Sequence, residues 1–238
     1  MKKKQININI LFEDNHVLAA VKPVNILSQK DSTGDPDMLT ILKDDIKTRY
    51  NKPGNVFLGL VHRLDRPVGG VMVFARTSKA ASRISAEIRE GRFSKTYLAV
   101  VNGSPQCKRG KLEHHLVKNR DTNIVRAVSD DDEDGKKAVL SYSVLESREN
   151  KSLIEIDLIT GRSHQIRVQF SKIGCPLLGD QKYGDRGKNH NIALWSYRIA
   201  FKHPVSGEDI EFKCAPPDEH PWDLFKGTTS LKDNQKNG

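Results

Sequence analysis

The chain alternates apolar and polar residues in a way that predicts β-strands along most of its length. Ile6, Ile8 and Ile10 alternate with asparagines, and this period of two is that of a strand with one buried face. The first strand is expected over 6–12. Similar segments between polar turns predict strands over 16–21, 70–75, 96–101, 112–117, 124–128, 139–145, 153–158, 192–201 and 209–213. The predicted sheet is therefore dominated by antiparallel neighbours.

Three segments repeat their apolar residues at helical spacing instead. A helix is expected over 38–50 with Asp37 as its N-cap, because a carboxylate there accepts from the exposed amides of the first turn. A second helix is expected over 78–90, capped by Thr77 or Ser78. A third helix has an apolar face formed by Ile166, Phe170 and Ile173. Together these elements predict an α+β fold, a mainly antiparallel sheet with flanking helices.

The organisation of the chain follows from the same pattern. No linker rich in Ser, Gly and Pro divides it, so we expect one folded catalytic domain over 1–225. Any boundary between lobes is expected near 103–110. Residues 226–238 are polar and lack a periodic apolar face, which predicts a disordered tail.

The charge of the chain restricts its partners. Among 238 residues, 39 are Lys or Arg and 30 are Asp or Glu, which gives a formal net charge of +9. Such a charge favours binding to nucleic acid or to an anionic membrane. No apolar run approaches the roughly 18 residues of a membrane-spanning helix. The acidic run 130–134 is expected to form a solvated hairpin tip that turns at Asp134 and Gly135.

Cysteine, histidine and glycine patterns argue against several kinds of site. Cys107, Cys175 and Cys214 are far apart and form no CxxC pair, which favours a reducing compartment such as the cytoplasm. His114 and His115 lack metal-ligand spacing with a cysteine or an acid, so no metal site is expected. Neither GxxxxGK[ST] nor GxGxxG occurs, so no nucleotide cofactor is expected either.

The first candidate for chemistry is the run His62-Arg63-Leu64-Asp65-Arg66-Pro67-Val68-Gly69-Gly70. It places the Asp65 carboxylate between two arginines on a turn made by proline and glycine. Such a loop can hold a reactive acid in a cleft, because glycine permits the close approach of a ligand. A structural Asp–Arg pair at the end of a strand explains the same residues.

Two further segments carry candidate binding groups. One is Gly161-Arg162-Ser163-His164-Gln165-Ile166-Arg167, which opens the third helix, and a helix start attracts anions such as phosphate. Arg167 is expected to reach a carboxylate. The other is Lys95-Thr96-Tyr97-Leu98-Ala99, in which the ring of Tyr97 could stack on a nucleobase. The alternatives are helix capping with a surface arginine, and a tyrosine that only packs.

Together these segments resemble the RluA-type family of RNA pseudouridine synthases. The family signature runs H-R-L-D-x-x-T-S-G, then K-x-Y-x-A, then G-R-T-H-Q-I-R-V-H and G-D-x-x-Y-G. This chain has HRLDRPVGG at 62–70, KTYLA at 95–99, GRSHQIRVQ at 161–169 and GDQKYG at 179–184. The order and spacing agree, and the resemblance extends over 11–215.

Several positions depart from the family pattern. Val68 and Gly69 stand where the signature has Thr-Ser, which removes two hydroxyls beside the catalytic loop. Ser163 replaces threonine and Gln169 replaces histidine. Asn25 stands where glycine is frequent in an early Lys-Pro motif, and we expect the turn to survive because asparagine tolerates positive φ. None of these changes removes the acid, the arginine or the tyrosine.

The resemblance implies a reaction. Uridine in RNA becomes pseudouridine when the bond from N1 to C1′ breaks and C5 is joined to C1′, and no cofactor is needed. Asp65 would be the essential carboxylate, acting as nucleophile or as base on the ribose. Arg167 would pair with Asp65 and keep it ionised. Tyr97 would stack on the base or assist removal of the proton from C5.

The resemblance also implies how RNA is bound. The target uridine must be flipped out of its stack, with Arg63 as the wedge or the phosphate clamp. Ile166 is expected to wall the uracil pocket in a central active-site cleft. The other RNA-binding residues are expected to be His62, Arg66, Arg162, His164 and Gln165. The expected substrate is rRNA or tRNA, bound by a monomer.

Two other functions stay open from the sequence. One is a catalytically inactive RNA-binding or ribosome-assembly protein on the same fold, because binding explains the positive charge without chemistry. The other is a carbohydrate-active hydrolase that uses Asp65 with another acid. Glu155 and Asp157 share one strand face, as a glycosidase pair could, although a solvated face explains them equally well.

Overall fold

A computed structural model describes residues 6–184, 191–226 and 228. The chain divides into two compact units, formed by Met1–Phe93 with Arg198–Cys214 and by Ser94–Tyr197 with Ala215–Gly238. The division comes at Phe93 and not near 103–110 as expected, because residues 103–108 connect two strands inside the second unit and 109–110 begin the second of these strands. Most of the predicted tail, 226–238, lies outside the described residues, so its disorder stays a prediction.

The first unit is an antiparallel sheet with two helices. Its elements are β1 (Ile10–Glu13), β2 (Val17–Lys22), α1 (Met38–Arg49), β3 (Gly59–Leu60), β4 (Gly69–Ala75) and α2 (Ser78–Arg89). β2 pairs with β1 and with β4, and β3 pairs with β4, all antiparallel. β1 begins later than expected, at Ile10, although the Asn9 carbonyl just before it still accepts from the Val21 amide of β2 at 2.8 Å.

The helices of the first unit begin where their caps predict. The Asp37 carboxylate accepts from the Thr40 amide at 3.0 Å and the Thr77 hydroxyl accepts from the Ala80 amide at 3.1 Å, which confirms both N-caps. α2 buries Ala80 and Ile84 against a core that contains the inward side chains of β2 and β4. Burying such aliphatic side chains is the main source of stability in a layer of this kind.

The second unit contains a longer antiparallel sheet. Its elements are β5 (Ser94–Asn102), β6 (Arg109–Asn119), β7 (Ile124–Val128), β8 (Lys136–Arg148), β9 (Lys151–Leu158) and α3 (Gln165–Lys172). The strands pair in the order β5, β9, β8, β6, β7. β10 (Leu194–Lys202) carries the chain into the first unit, where β11 (Asp209–Lys213) pairs with it as the expected hairpin. A 3-10 turn, Trp222–Leu224, follows.

The acidic run 130–134 does not form the expected hairpin tip. β7 and β8 each pair with β6 and not with each other, so residues 129–135 take the chain from one edge of β6 to the other. A turn does form there, but over 132–135, since the Gly135 amide donates to the Asp132 carbonyl at 2.9 Å and Gly135 ends the turn where a central position was expected. A Cβ at Gly135 would lie 2.8 Å from that oxygen, which explains the glycine.

Candidate active site

The loop between β3 and β4 places Asp65 at the start of a tight turn. The Val68 amide donates to the Asp65 carbonyl at 3.0 Å, so residues 65–68 form a β-turn with Pro67 inside it. Gly70 has a φ of 116°, a conformation that favours glycine. The turn leaves the Asp65 side chain half-buried at the entrance to β4.

Lys22 ties this loop to the end of β2. Its side chain is fully buried, and its ammonium donates to the carbonyls of Pro23 at 3.0 Å and Arg66 at 2.9 Å, and also to that of Ile26. Burial lowers the pKa of Lys22 to about 7, and the nearby Asp65 carboxylate acts in the opposite direction. Lys22 therefore holds the backbone next to Asp65 and places a titratable amine close to the acid.

The three predicted RNA-binding residues of this loop have different surroundings. The His62 Nε2 accepts from the Val73 amide at 3.0 Å, so this ring is used to fix the loop to β4. Arg63 is exposed. Arg66 is also exposed and forms an ion pair with Asp35 at 2.7 Å. The two arginines thus have the accessibility that contact with RNA requires, whereas His62 has a structural contact.

Tyr97 lies on β5, in the second unit, and is buried. Its neighbour Thr96 donates from its hydroxyl to the Asp157 carboxylate at 2.8 Å, which joins β5 to β9 on the face opposite to that of Tyr97. Burial lowers the pKa of Lys95, whose Nζ lies 3.2 Å from the place where a Cβ on Gly161 would be. Glycine at 161 therefore lets the amine of Lys95 come close to the turn that precedes α3.

Arg167 lies on α3 and is held by a buried carboxylate. Its Nε donates to one oxygen of Asp180 at 2.8 Å and its Nη2 to the other at 2.7 Å. This two-pronged geometry fixes the plane of the guanidinium as well as its position. The expected pairing of Arg167 with Asp65 stays a prediction, since Asp65 belongs to the first unit and Arg167 to the second.

Asp180 can hold Arg167 because its own segment is a closed turn. One oxygen of its carboxylate also accepts from the amides of Lys182 at 3.0 Å and Tyr183 at 3.2 Å. Its carbonyl accepts from the Gly184 amide at 2.8 Å, and a Cβ at Gly184 would lie 2.9 Å from that oxygen. The GDQKYG motif thus encodes a rigid turn that presents a carboxylate to α3.

Tyr183 and His164 complete this group. The Arg167 guanidinium carbon lies 5.2 Å from the centre of the Tyr183 ring, a cation–π contact. The Tyr183 hydroxyl lies 2.6 Å from His164 Nδ1 and accepts from the Val125 amide at 2.8 Å. His164 precedes α3 with a φ of 51°. The backbone at the helix start therefore turns the imidazole toward Tyr183.

The other predicted residues of this segment are placed as follows. Gln165 is buried and bonds to Thr160, to the Arg162 amide and to the Val139 carbonyl, so its amide closes the turn before α3. Arg162 is exposed, and its Nε donates to the Lys137 carbonyl at 2.9 Å. Ile166 is buried. Gln165 therefore has internal bonds, and Arg162 is exposed to solvent.

Sequence reasoning missed three residues that hold the site. Lys22 belongs to the early Lys-Pro motif, which the sequence indicated only as the end of the strand predicted over 16–21. Asp180 and Tyr183 lie inside the GDQKYG motif, which supports the family resemblance but was given no role. Their signal was the closing Gly184, because glycine at the end of a short polar motif indicates a tight turn.

The described residues hold neither a candidate metal-binding group nor a candidate membrane-spanning helix. They contain no group of three or more His, Cys, Asp or Glu side chains arranged to hold a metal ion. Within the same ranges, no helix is long and apolar enough to cross a membrane.

Comparison with known proteins gives the family. Residues 16–172 match the family described as RNA pseudouridylate synthase. The chain belongs to this family. A ribosomal large subunit pseudouridine synthase D from Zymomonas mobilis subsp. mobilis is 31% identical over 228 residues, 91% of this chain and 71% of the relative. A ribosomal large subunit pseudouridine synthase C from Pasteurella multocida is 32% identical over 221 residues, 90% of this chain and 66% of the relative.

A solved structure has a similar fold. Human RNA Pseudouridylate Synthase Domain Containing 4 has a TM-score of 0.76 at 22% identity, over 94% of this chain and 92% of that one. The expected α+β synthase fold is therefore confirmed. Family membership confirms the predicted enzyme class, an isomerase that forms pseudouridine from uridine in RNA.

The departures from the synthase pattern have structural accounts. Asn25 has a φ of 65°, which confirms that asparagine adopts the conformation expected of glycine. Gln169 is buried, and its side-chain amide donates to the carbonyls of Leu112 at 3.2 Å and Ala138 at 3.1 Å. Val68 is buried beside the Asp65 turn. Asn25 therefore keeps the turn, Gln169 hydrogen-bonds to neighbouring strands, and only Val68 of these three positions is explained by packing.

Proposed function

We propose that Asp65, Arg167 and Tyr97 form the catalytic group of this synthase. The observation that carries the proposal is the buried pair between Arg167 and Asp180, at 2.7 and 2.8 Å. A guanidinium bound along one edge is oriented before any substrate arrives, and preorganised charge is usually the largest catalytic contribution. Asp65 begins a turn whose backbone Lys22 fixes, which supports its role as the reacting carboxylate.

The reaction balances without any added group. The N1–C1′ bond of uridine breaks, the freed uracil rotates, and the C5–C1′ bond forms. C5 then loses its proton, and N1 ends protonated. The Asp65 carboxylate serves either as nucleophile at C1′ or as base on the ribose, and Tyr97 stacks on the uracil or assists removal of the C5 proton.

The target uridine reaches the proposed catalytic residues by flipping out of its stack in the RNA. Arg63 is exposed two residues before Asp65, which supports its role as wedge or phosphate clamp. Arg66 and Arg162 are exposed as well and contact phosphates. His62, His164, Gln165 and Ile166 shape the surrounding surface, Ile166 as a wall of the uracil pocket.

The substrate we propose is large-subunit rRNA, because relatives at 31 and 32% identity bear names that specify the ribosomal large subunit. A tRNA is the second candidate, since single-stranded loops of both RNAs expose unstacked uridines. We place the reaction in the cytoplasm and assign it to a monomer with one domain over 1–225. The described cysteines form no disulfide, which agrees with a reducing compartment.

Replacement of the acid tests the proposal. We expect Asp65→Asn to abolish pseudouridine formation while RNA binding and the unfolding midpoint stay close to those of the unmodified chain, because asparagine keeps the size of the side chain and removes its charge. Pseudouridine is measured by chemical adduct formation and primer extension on transcribed large-subunit rRNA and tRNAs. Mapping in total RNA from cells with and without the gene identifies the target uridine.

A second carboxylate provides the matched control. Asp209 lies on β11 and pairs only at the surface with Lys202, at 3.1 Å. Asp209→Asn should therefore retain full activity. Substantial pseudouridine formation by purified Asp65→Asn protein would contradict the proposed role of Asp65.

Salt dependence tests the mode of binding. If the exposed arginines contact phosphates, RNA affinity should fall steeply as salt is added, because each contact releases a counterion. Fluorescence titration with a labelled rRNA fragment over a series of KCl concentrations measures the slope. An affinity that does not change with salt would overturn the phosphate contacts.

A further inference from the structure

Ser28 makes two hydrogen bonds to the residue that precedes Asp65. Its hydroxyl donates to the Leu64 carbonyl at 2.8 Å and accepts from the Leu64 amide at 3.1 Å. All the groups involved are buried. One hydroxyl thus satisfies both polar groups of the same residue, and neither would reach water if the hydroxyl were absent.

These bonds act on the peptide group that carries Asp65. The Leu64 carbonyl belongs to the peptide plane that extends to the Asp65 Cα, and this plane is rigid. Because one hydroxyl oxygen holds both the carbonyl and the amide of Leu64, rotation about the Leu64 backbone is restricted. The direction in which the Asp65 side chain leaves the loop is restricted with it.

The hydroxyl comes from outside the loop. No serine or threonine occurs within 62–70, where Val68 and Gly69 take the places of the Thr-Ser pair in the signature. Ser28 lies instead on the segment between β2 and α1. The hydroxyl that bonds to the loop is therefore supplied by another segment of the chain.

The position of Ser28 is itself fixed by its neighbour. The Leu27 amide donates to the Pro36 carbonyl at 3.2 Å, and the Leu27 carbonyl accepts from the Met38 amide at 2.8 Å. Met38 is the first residue of α1. Ser28 is therefore one residue from a point that is bonded to the start of a helix, and its hydroxyl is held still enough to position a second segment.

We propose that Ser28 is a positioning residue for Asp65 and acts through the backbone of Leu64. The proposal rests on the proposed catalytic role of Asp65. A displacement of about 1 Å at a reacting group can lower a rate by about a hundredfold. Ser28→Ala should therefore lower the rate of pseudouridine formation under saturating RNA, by about ten- to a hundredfold, with little change in RNA affinity.

A pair of variants and a control test this role. Ser28→Thr keeps the hydroxyl and should restore most of the rate. Ser152 is also buried, on β9, and its hydroxyl donates to the Gly103 carbonyl at 2.9 Å. Ser152→Ala therefore removes a comparable buried bond away from the Asp65 loop and should leave the rate unchanged. Single-turnover rates on transcribed rRNA are measured beside equilibrium RNA binding.

Hydrogen exchange gives a readout that does not depend on activity. The Leu64 amide should exchange faster in Ser28→Ala, in peptides covering 62–68, and not in Ser152→Ala. Unchanged exchange, a wild-type rate in Ser28→Ala or an equal loss in Ser152→Ala would each overturn the role of Ser28. If the unmodified chain forms no more pseudouridine than Asp65→Asn, the proposed catalytic role of Asp65 is overturned, and the positioning role of Ser28 with it. Hydrogen exchange distinguishes the two failures, because it reports the contact between Ser28 and Leu64 without any activity.

Discussion

The two regions that carry the proposed catalytic charges are held in different ways. The Asp65 loop is bonded through its main chain, at the Leu64 amide and carbonyl and at the Arg66 carbonyl. Arg167 is bonded through its side chain, along the edge that faces Asp180. Bonds to the main chain fix a carboxylate without using its oxygens. A guanidinium has five N–H donors, so it can give one edge to a structural partner.

The difference also affects stability. A neutral hydrogen bond contributes about 1 kcal/mol and one from a charged donor such as the Lys22 ammonium about 1.5–3 kcal/mol, so the Asp65 loop is held by several moderate interactions. The pair between Arg167 and Asp180 is buried and charged, and removal of one partner of such a pair costs about 3–5 kcal/mol because the other charge stays unpaired. A single substitution in the buried pair of the second unit should therefore lower the free energy of unfolding more than a single substitution at the Asp65 loop.

The largest expected effect is at Asp180. Asp180→Asn keeps one oxygen for the Lys182 and Tyr183 amides but removes the charge that faces Arg167. We expect a loss of about 3 kcal/mol in the free energy of unfolding and a large loss of pseudouridine formation. Urea denaturation and single-turnover rates measure the two effects. Asp223→Asn, at the exposed position of the 3-10 turn, is the control, and a loss below about 1 kcal/mol at Asp180 would show that the pair is not structural.

A pH series tests the hold on the Asp65 loop. The pKa of Lys22 is lowered from 10.5 to about 7 by burial, so the folded chain releases a proton near pH 7 that the unfolded chain keeps up to about pH 10.5. Stability due to this group therefore rises with pH between those limits, by at most about 1.4 kcal/mol per pH unit. The free energy of unfolding of the unmodified chain, relative to Lys22→Met, should rise over this range.

A surface lysine gives the comparison for Lys22. Lys202 is paired at the surface with Asp209, so Lys202→Met removes an exposed ammonium and is the matched variant in the same series. A flat difference for Lys22→Met would mean that three carbonyl acceptors and Asp65 keep the Lys22 ammonium protonated. In that case the hydrogen bond from Lys22 to the Asp65 loop would not depend on pH in this range.

The smallest expected effect is at Tyr183. Tyr183→Phe keeps the ring over Arg167 and removes the hydroxyl that meets His164 and the Val125 amide, which should cost about 1–2 kcal/mol in the free energy of unfolding. Activity should fall far less than in Asp180→Asn, because the guanidinium keeps its carboxylate. Tyr142→Phe is the control, since the Tyr142 hydroxyl makes a longer bond of 3.3 Å to the Cys107 carbonyl. An activity loss as large as that of Asp180→Asn would mean that the hydroxyl, and not the carboxylate, orients Arg167.

Local features of the fold were readable from the sequence. Asp37 and Thr77 marked helix starts because their side chains bond to amides only a few residues away. Asn25 was readable for the same reason, since positive φ is a property of one residue and its neighbours. Contacts of this short range leave their signal inside a single motif.

Contacts between distant segments were not readable. Alternation predicted β7 and β8, yet it does not specify a partner, and both strands pair with β6. Ser28 and Leu64 are joined across 36 positions, and no spacing in the sequence indicates that contact. The roles of Lys22 and Asp180 could not be predicted for the same reason, because they depend on the Arg66 carbonyl and on the Arg167 guanidinium, which other segments supply.

The route of β10 has a consequence for the order of folding during synthesis. The core of the first unit combines Val17 and Val71 with Ile199, Phe201 and Phe212. A ribosome releases residue 17 long before residue 212, so this core cannot close until residue 212 has been synthesised. The strands of the second unit, from Ser94 to Leu158, are contiguous and can pair earlier. The segment that carries Asp65 therefore keeps apolar residues uncovered until the hairpin of β10 and β11 has been made.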